Sequence, residues 1–181
     1  MGKRDITATV RRNLVVQAAK AGHAQRMAVM ARPCLTRLLP SDARTYGGPT
    51  FAWWMAAAYL AVLTVRSLIH LFATDGGAES IATIDTAVAG GKNIIALFGQ
   101  WGAIQLLLAA VMWVLLLRYR GLTPFMYLIF VMEPVLRAIS GYLKPVEAVG
   151  IVPGDVLNWL AVPLLAVGLL CSLCGRRPRT H

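Results

Sequence analysis

Apolar residues gather into four long runs along this chain, and charged residues lie mostly between and outside them. The runs fall at about residues 51–73, 101–119, 122–143 and 157–175. A bilayer core about 30 Å thick is crossed by roughly 20 apolar residues of helix, so each run is long enough to span it. The pattern predicts an all-α fold: an integral membrane four-transmembrane-helix bundle over residues 51–175, preceded by a basic segment 1–50 and followed by a basic tail 176–181.

The first run opens "FAWWMAAAYLAVLTV", where Trp53 and Trp54 suit an interfacial aromatic belt. Arg118, Tyr119, Arg120 and Gly121 make a short polar turn, which predicts a helical hairpin of spans two and three. Pro163 bends the fourth run without breaking it, since helices in lipid tolerate proline. In the connection 74–100, Ile81, Ile84 and Val88 keep helical spacing until Gly90 and Gly91 interrupt it. That spacing predicts a short amphipathic helix on the interface, with "NIIALFG" as a second approach to the membrane.

Composition agrees with a bilayer as the solvent. Of 181 residues, 57% are hydrophobic and 14% charged, with a mean hydropathy of +0.62. That leaves too few charges to cover a water-soluble domain. The net charge of +10 would suggest nucleic acid in a soluble protein, but here the bases flank the apolar runs, and nucleic-acid binding is not expected.

Lys and Arg accumulate on the cytoplasmic side of membrane proteins. Residues 1–50, the 118–121 turn and the tail carry nine, two and three of them, and an even number of spans puts all three segments on one side. The opposite connections hold only Lys92 and Lys144, beside Asp75, Glu79, Asp85, Glu147 and Asp155. Both termini are therefore expected inside, in the inner (plasma) membrane. The Arg-rich, acid-poor N-terminal segment leaves a mitochondrial inner membrane as the alternative, and as a surface-lying segment it would attract anionic lipid. Bilayer lipid, a second copy of the chain or a larger membrane complex are the remaining partners this implies.

Two charges interrupt the third run. Near the bilayer centre each costs roughly 2.5–3.5 kcal/mol, whereas each Leu, Ile, Phe or Val contributes about 0.3–0.6 in favour of insertion. Ten such apolar residues stand against Glu133 and Arg137, so insertion of this run is close to balanced and calls for pairing within the bundle. Spaced at i, i+4, the two share a helix face with Ser140 and Lys144. Pro134 also frees the carbonyl of Phe130 as an acceptor. At 1.5 Å per residue Glu133 lies about 16 Å and Arg137 about 22 Å along span three, level with Arg66 at about 22 Å along span one. His70 follows one turn beyond Arg66, and Tyr59 lies two turns before it. Gln105 sits one turn into span two and Asn158 begins span four, so Arg66, His70, Gln105, Glu133, Arg137 and Asn158 are expected to cluster in the outer half.

Such a cluster has two uses. Glu133 neutralises one Arg and the network only fixes helix packing, or the surplus cation binds an anionic headgroup, a carboxylate, a quinone or a lipid. His70 would then be a proton-transfer group or a haem ligand, although the spans hold no second His for a bis-His site. No cofactor is expected.

Cys171 and Cys174 form a CxxC at the inner end of span four, with Cys34 the remaining thiol. A redox role for this pair is an alternative, but the motif closes a helix, the wrong end for the dipole to lower a thiol pKa. Asp75, Glu79 and Asp85 match no metal-loop pattern. With no phosphate loop, GxSxG or HExxH motif, a conventional enzyme is disfavoured and a binding or accessory protein, or an assembly subunit, is expected.

The stretch "WGAIQLLLAAVMWVLLLRYRGLTPFMYLIFVMEPVLRAISGYLKP" resembles, in layout, small uncharacterised bacterial membrane proteins of the DoxX-like four-helix type. Shared features are a long first outer loop, the hairpin of spans two and three, and an Arg followed by a small residue near the outer end of span three, here Arg137 and Gly141. The resemblance implies a four-helix bundle in a bacterial inner membrane and transfers no activity. The basic extension 1–50 departs from that layout.

Overall fold

Each apolar run forms one α-helix, the element that satisfies its backbone polar groups within itself. The computed structural model describes residue 17, residues 37–150 and residues 152–174, with only the backbone of 153–155. The helices are α1 (Thr50–Phe72), α2 (Gly91–Arg118), α3 (Thr123–Leu143) and α4 (Pro153–Leu173). All four are long and apolar enough to cross a membrane. Proline opens α3 and α4 in their first turns, where its missing N–H has no intrahelical partner to lose. The expectations for most of residues 1–36, including Cys34, and for Arg176, Arg177 and Arg179, fall outside the described residues.

The chain runs up and down. Trp53 at the start of α1 donates from Nε1 to the Leu116 carbonyl near the end of α2 (3.0 Å), while His70 near the end of α1 stacks on Trp101 near the start of α2. Tyr127 at the start of α3 donates to the Ala52 carbonyl of α1 (2.7 Å), and Arg137 near its end meets Asn158 at the start of α4. The core between them comprises Ala52, Ala56, Leu60, Met112, Leu116, Met126, Tyr127, Phe130 and Leu165. Large apolar side chains such as Val62, Leu107, Val114, Leu136 and Leu160 point outward from every helix.

The hairpin expected of spans two and three exists in connectivity rather than in packing. A 3-10 turn at Arg120–Leu122 joins α2 to α3, yet the extensive contacts lie within an α1/α2 pair and an α3/α4 pair. Small residues decide this: a Cβ on Gly102 would lie 2.7 Å from the His70 Cβ, so α2 presents its narrowest face to α1. Gly168 of α4 likewise lies against the Tyr127 ring of α3. The seam between the pairs is therefore less closely packed than either pair.

The connection after α1 also differs from expectation. Residues 81–88 form turns, bends and irregular chain, not an amphipathic helix, and "NIIALFG" belongs to the first turns of α2. The reason is upstream: Gly76 and Gly77 adopt left-handed φ of 60° and 75°, and the Asp75 carboxylate accepts from the Ser80 and Gly77 amides (2.8 and 3.0 Å). Those hydrogen bonds hold the Asp75 carboxyl down at about 2. Gly90, with φ 89°, then redirects the chain into α2.

At the end of the bundle where α1 begins, residues 37–49 cross from pair to pair. Arg37 donates to the Leu173 carbonyl at the end of α4 (3.3 Å), and the Gly121 amide donates to the Ala43 carbonyl (2.8 Å). Arg120 lies over the Trp53 ring at 4.8 Å. Tyr46 in this strap has a buried hydroxyl, and burial pushes its pKa up.

Candidate functional site

Helical spacing puts Glu133 and Arg137 on one face of α3, and the packing of the two pairs brings Arg66 of α1 to the same carboxylate. Arg137 Nη2 donates to Glu133 Oε2 at 2.7 Å, and Arg66 Nη2 donates to Oε1 at 3.4 Å. Arg137 Nη2 also reaches Asn158 Oδ1 at 2.9 Å, while Asn158 Nδ2 donates to the Pro134 carbonyl at 3.3 Å. That acceptor is Pro134 itself, rather than the Phe130 carbonyl its ring frees.

Gln105 completes the set. With its amide oxygen turned to the available donors, it accepts from Arg66 Nη2 at 2.9 Å and Trp101 Nε1 at 3.0 Å. Its nitrogen then faces Ser67 Oγ at 3.5 Å, whose own hydrogen goes to the Leu63 carbonyl at 2.7 Å. Arg66, Gln105, Glu133, Arg137 and Asn158 thus form one connected network touching all four helices.

His70 stands one step away. Its Nδ1 lies 2.8 Å from the Gly76 carbonyl, which requires the proton on that nitrogen, and the ring is buried. It stacks on Trp101 at 4.9 Å and meets Phe98 edge-on at 5.6 Å. Arg66 lies over the same Trp101 ring, 5.5 Å from its centroid. Trp101 is the residue that joins His70 to the network, and its position at the head of an apolar run gave no sign of that role. Ser67 was equally hidden, because a Ser can bond back to its own helix and here does so. Ser140 and Lys144 continue the α3 stripe but are exposed, and Tyr59 packs edge-on against Phe130 at 5.0 Å.

Two guanidinium groups face one carboxylate, so the network carries a surplus of one positive charge at neutral pH. Arg66 Nε and Arg137 Nε are buried and meet no acceptor among the described residues. An unpaired donor in a low-dielectric site is costly. The Arg and Glu side chains as wholes remain 21–28% exposed, so parts of them other than the buried Nε atoms are within reach of a ligand.

Beside it runs a cleft of about 40 Å³. Leu60 and Leu63 of α1, Leu108 and Met112 of α2, and Ile129 and Phe130 of α3 line it, and Ser67, Gln105 and Glu133 form its polar part. The cleft lies in the seam between the α1/α2 pair and α3.

Cys171 and Cys174 lie at the C-terminal end of α4, both half-buried. They are about 20 Å along the helix from Asn158 at 1.5 Å per residue. Among the described residues, no three His, Cys, Asp or Glu side chains are placed to hold a metal ion. The loop acids serve turns: Asp75 as above, Glu79 through Thr86, and Asp85 through the Ala87 amide at 2.8 Å. Comparison with protein-family models, curated proteins and solved structures finds no match.

Proposed function

We propose that this chain is a multi-pass protein of the bacterial inner membrane, with both termini in the cytoplasm, that binds a small anionic or lipid-like molecule at Arg66, Gln105, Glu133, Arg137 and Asn158. Orientation is supported by the bases gathered in residues 1–50, the 118–121 turn and the tail. The observation that carries the binding role is the surplus guanidinium charge on side chains that remain 21–28% exposed. Intramembrane ionisable groups of this kind mark binding sites and pathways more often than mere packing.

A second reading, an assembly subunit held together by the same network, is favoured by one observation: the hydrogen bonds tie all four helices. Melting of the purified protein in nonionic detergent separates the two. Butyrate, phosphate and stearate are titrated at constant ionic strength while unfolding is followed by fluorescence. An anion that binds the native state raises the melting temperature with its concentration. Arg137→Gln abolishes that response. If no anion shifts the wild-type transition, the binding role is wrong and the network serves packing alone.

A further inference from the structure

On the anion-binding reading above, we infer that the site takes up a proton together with its anion: Glu133 is protonated as the anion settles on Arg66 and Arg137.

An ionised Glu133 repels the anion that the two guanidinium groups attract, and it already occupies both of them, Arg137 through Oε2 at 2.7 Å and Arg66 through Oε1 at 3.4 Å. Once protonated it is neutral, and the two guanidinium groups face the anion with two positive charges. A monoanion and a proton entering together return the site to the single surplus positive charge it carries when empty. Each therefore strengthens the binding of the other, as reciprocal linkage requires.

Geometry selects the oxygen that takes the proton. The 3.4 Å contact is the weaker of the two, and Arg66 Nη2 has a second acceptor in the Gln105 amide oxygen at 2.9 Å. A proton on Oε1 thus leaves Arg66 with a partner, and the short bond from Arg137 to Oε2 survives. Tyr59 of α1 lies within electrostatic reach of the same carboxylate, and Asn158 of α4 touches it only through Arg137. From α2 it is faced by the uncharged Gln105. His70, which carries an imidazole, is set apart from Arg66 by the Trp101 ring.

The cleft gives the carboxylate its own approach. Among the described residues that line it Glu133 is the one with a charge, and neither arginine is among them. At roughly 10–15 Å³ for each water, a volume of about 40 Å³ holds about two or three. Ser67, Gln105 and Glu133 supply their partners. With the Gln105 oxygen committed to Arg66 and Trp101, its amide nitrogen is left for Ser67 and for water, and a water that accepts from it can donate to Glu133. The exposed parts of Arg66 and Arg137 lie outside the cleft, so proton and anion reach the network from different sides.

The test titrates butyrate into the full chain in nonionic detergent by isothermal calorimetry, in two buffers of different ionisation enthalpy. Measurements at about pH 6 and about pH 7.5 lie above the ordinary carboxylate range, so butyrate itself is ionised. A net uptake of up to one proton per butyrate is expected, with affinity rising as pH falls by at most about tenfold per pH unit. Glu133→Gln has no proton to gain and should bind butyrate without uptake, equally at both pH values and at least as tightly as the wild type. His70→Gln should keep the uptake. Circular dichroism checks both folds, and if Glu133→Gln unfolds, the wild type decides by infrared difference spectroscopy with methanesulfonate, which has no carboxyl of its own. A protonated carboxylic C=O band should then replace a carboxylate band, and its absence would overturn the coupling. Butyrate bound with neither proton uptake nor pH dependence would also overturn the coupling and leave anion binding intact. Uptake that persists in Glu133→Gln, or disappears in folded His70→Gln, would overturn the assignment to Glu133. Neither binding heat nor a melting shift with any anion would overturn both readings.

Discussion

Arg66 of α1 and Glu133 of α3 meet across the seam between two helix pairs, Nη2 lying 3.4 Å from Oε1. The same carboxylate takes a shorter bond, 2.7 Å, from Arg137 on its own helix. One contact follows from i, i+4 spacing, and the other exists only because the pairs dock. Glu133→Gln is expected to leave two guanidinium groups without their shared counter-ion and to destabilise the bundle. A fully buried pair would lose about 3–5 kcal/mol on such a change, and the partial exposure of all three side chains brings the expectation down to about 1–3 kcal/mol. Double-mutant cycles from unfolding in mixed micelles should give a larger coupling for Glu133 with Arg137 than with Arg66. Equal couplings, or strict additivity, would contradict the geometry.

Two glycines should respond in opposite directions to the same change. Gly102→Ala pushes a Cβ to 2.7 Å from both the His70 Cβ and the Leu71 amide, and overpacking of this kind costs about 1–3 kcal/mol, outweighing alanine's helix preference of about 1 kcal/mol. Gly141→Ala meets nothing within 4 Å and should be neutral or mildly stabilising. Thermal unfolding of the two variants side by side decides the matter, and a stabilised Gly102→Ala would refute the close approach of α1 and α2.

Acid should loosen the connection after α1 before it affects the helices. The Asp75 carboxyl is held below its unfolded value of 3.8, at about 2, chiefly by the Ser80 amide and then by that of Gly77. Its contribution is therefore complete above about pH 4 and is lost as pH falls through 2. Hydrogen exchange at the Ser80 and Gly77 amides, followed from pH 5 downward, should lose protection relative to the intrinsic rate in the wild type over that window. In Asp75→Asn that pH-dependent loss of protection should vanish; its persistence would assign the effect to another group.

Orientation is open to single-cysteine labelling. In a background with Cys34, Cys171 and Cys174 replaced by Ser, Glu147→Cys is expected to react with a membrane-impermeant maleimide added to intact cells. Arg120→Cys should react only after permeabilisation. Reversal of that pattern would place the termini outside.

Much of this protein is legible without coordinates. Run length, the i, i+4 pair of Glu133 and Arg137, and depth counting from 1.5 Å per residue place Arg66 level with Arg137 and put Gln105, Asn158 and His70 in the same outer half; the structure joins the first two with Glu133, Arg137 and Arg66 in one network and leaves His70 stacked on Trp101. The connection 74–100 departs from the helix its spacing predicts because the spacing of Ile81, Ile84 and Val88 carries less weight than the turn that Asp75, Gly76 and Gly77 impose just before it.

Periodicity and length determine which segments become helices and which residues share a face, since both are local properties of a backbone that must satisfy itself. They do not determine which helix packs against which. That choice rests on close approaches such as Gly102 at His70 and Gly168 at Tyr127, contacts between residues far apart in the chain. By pairing α1 with α2 and α3 with α4, the tertiary structure leaves a seam, places Trp101 between Arg66 and His70, and sets the apolar cleft beside Glu133 and Gln105.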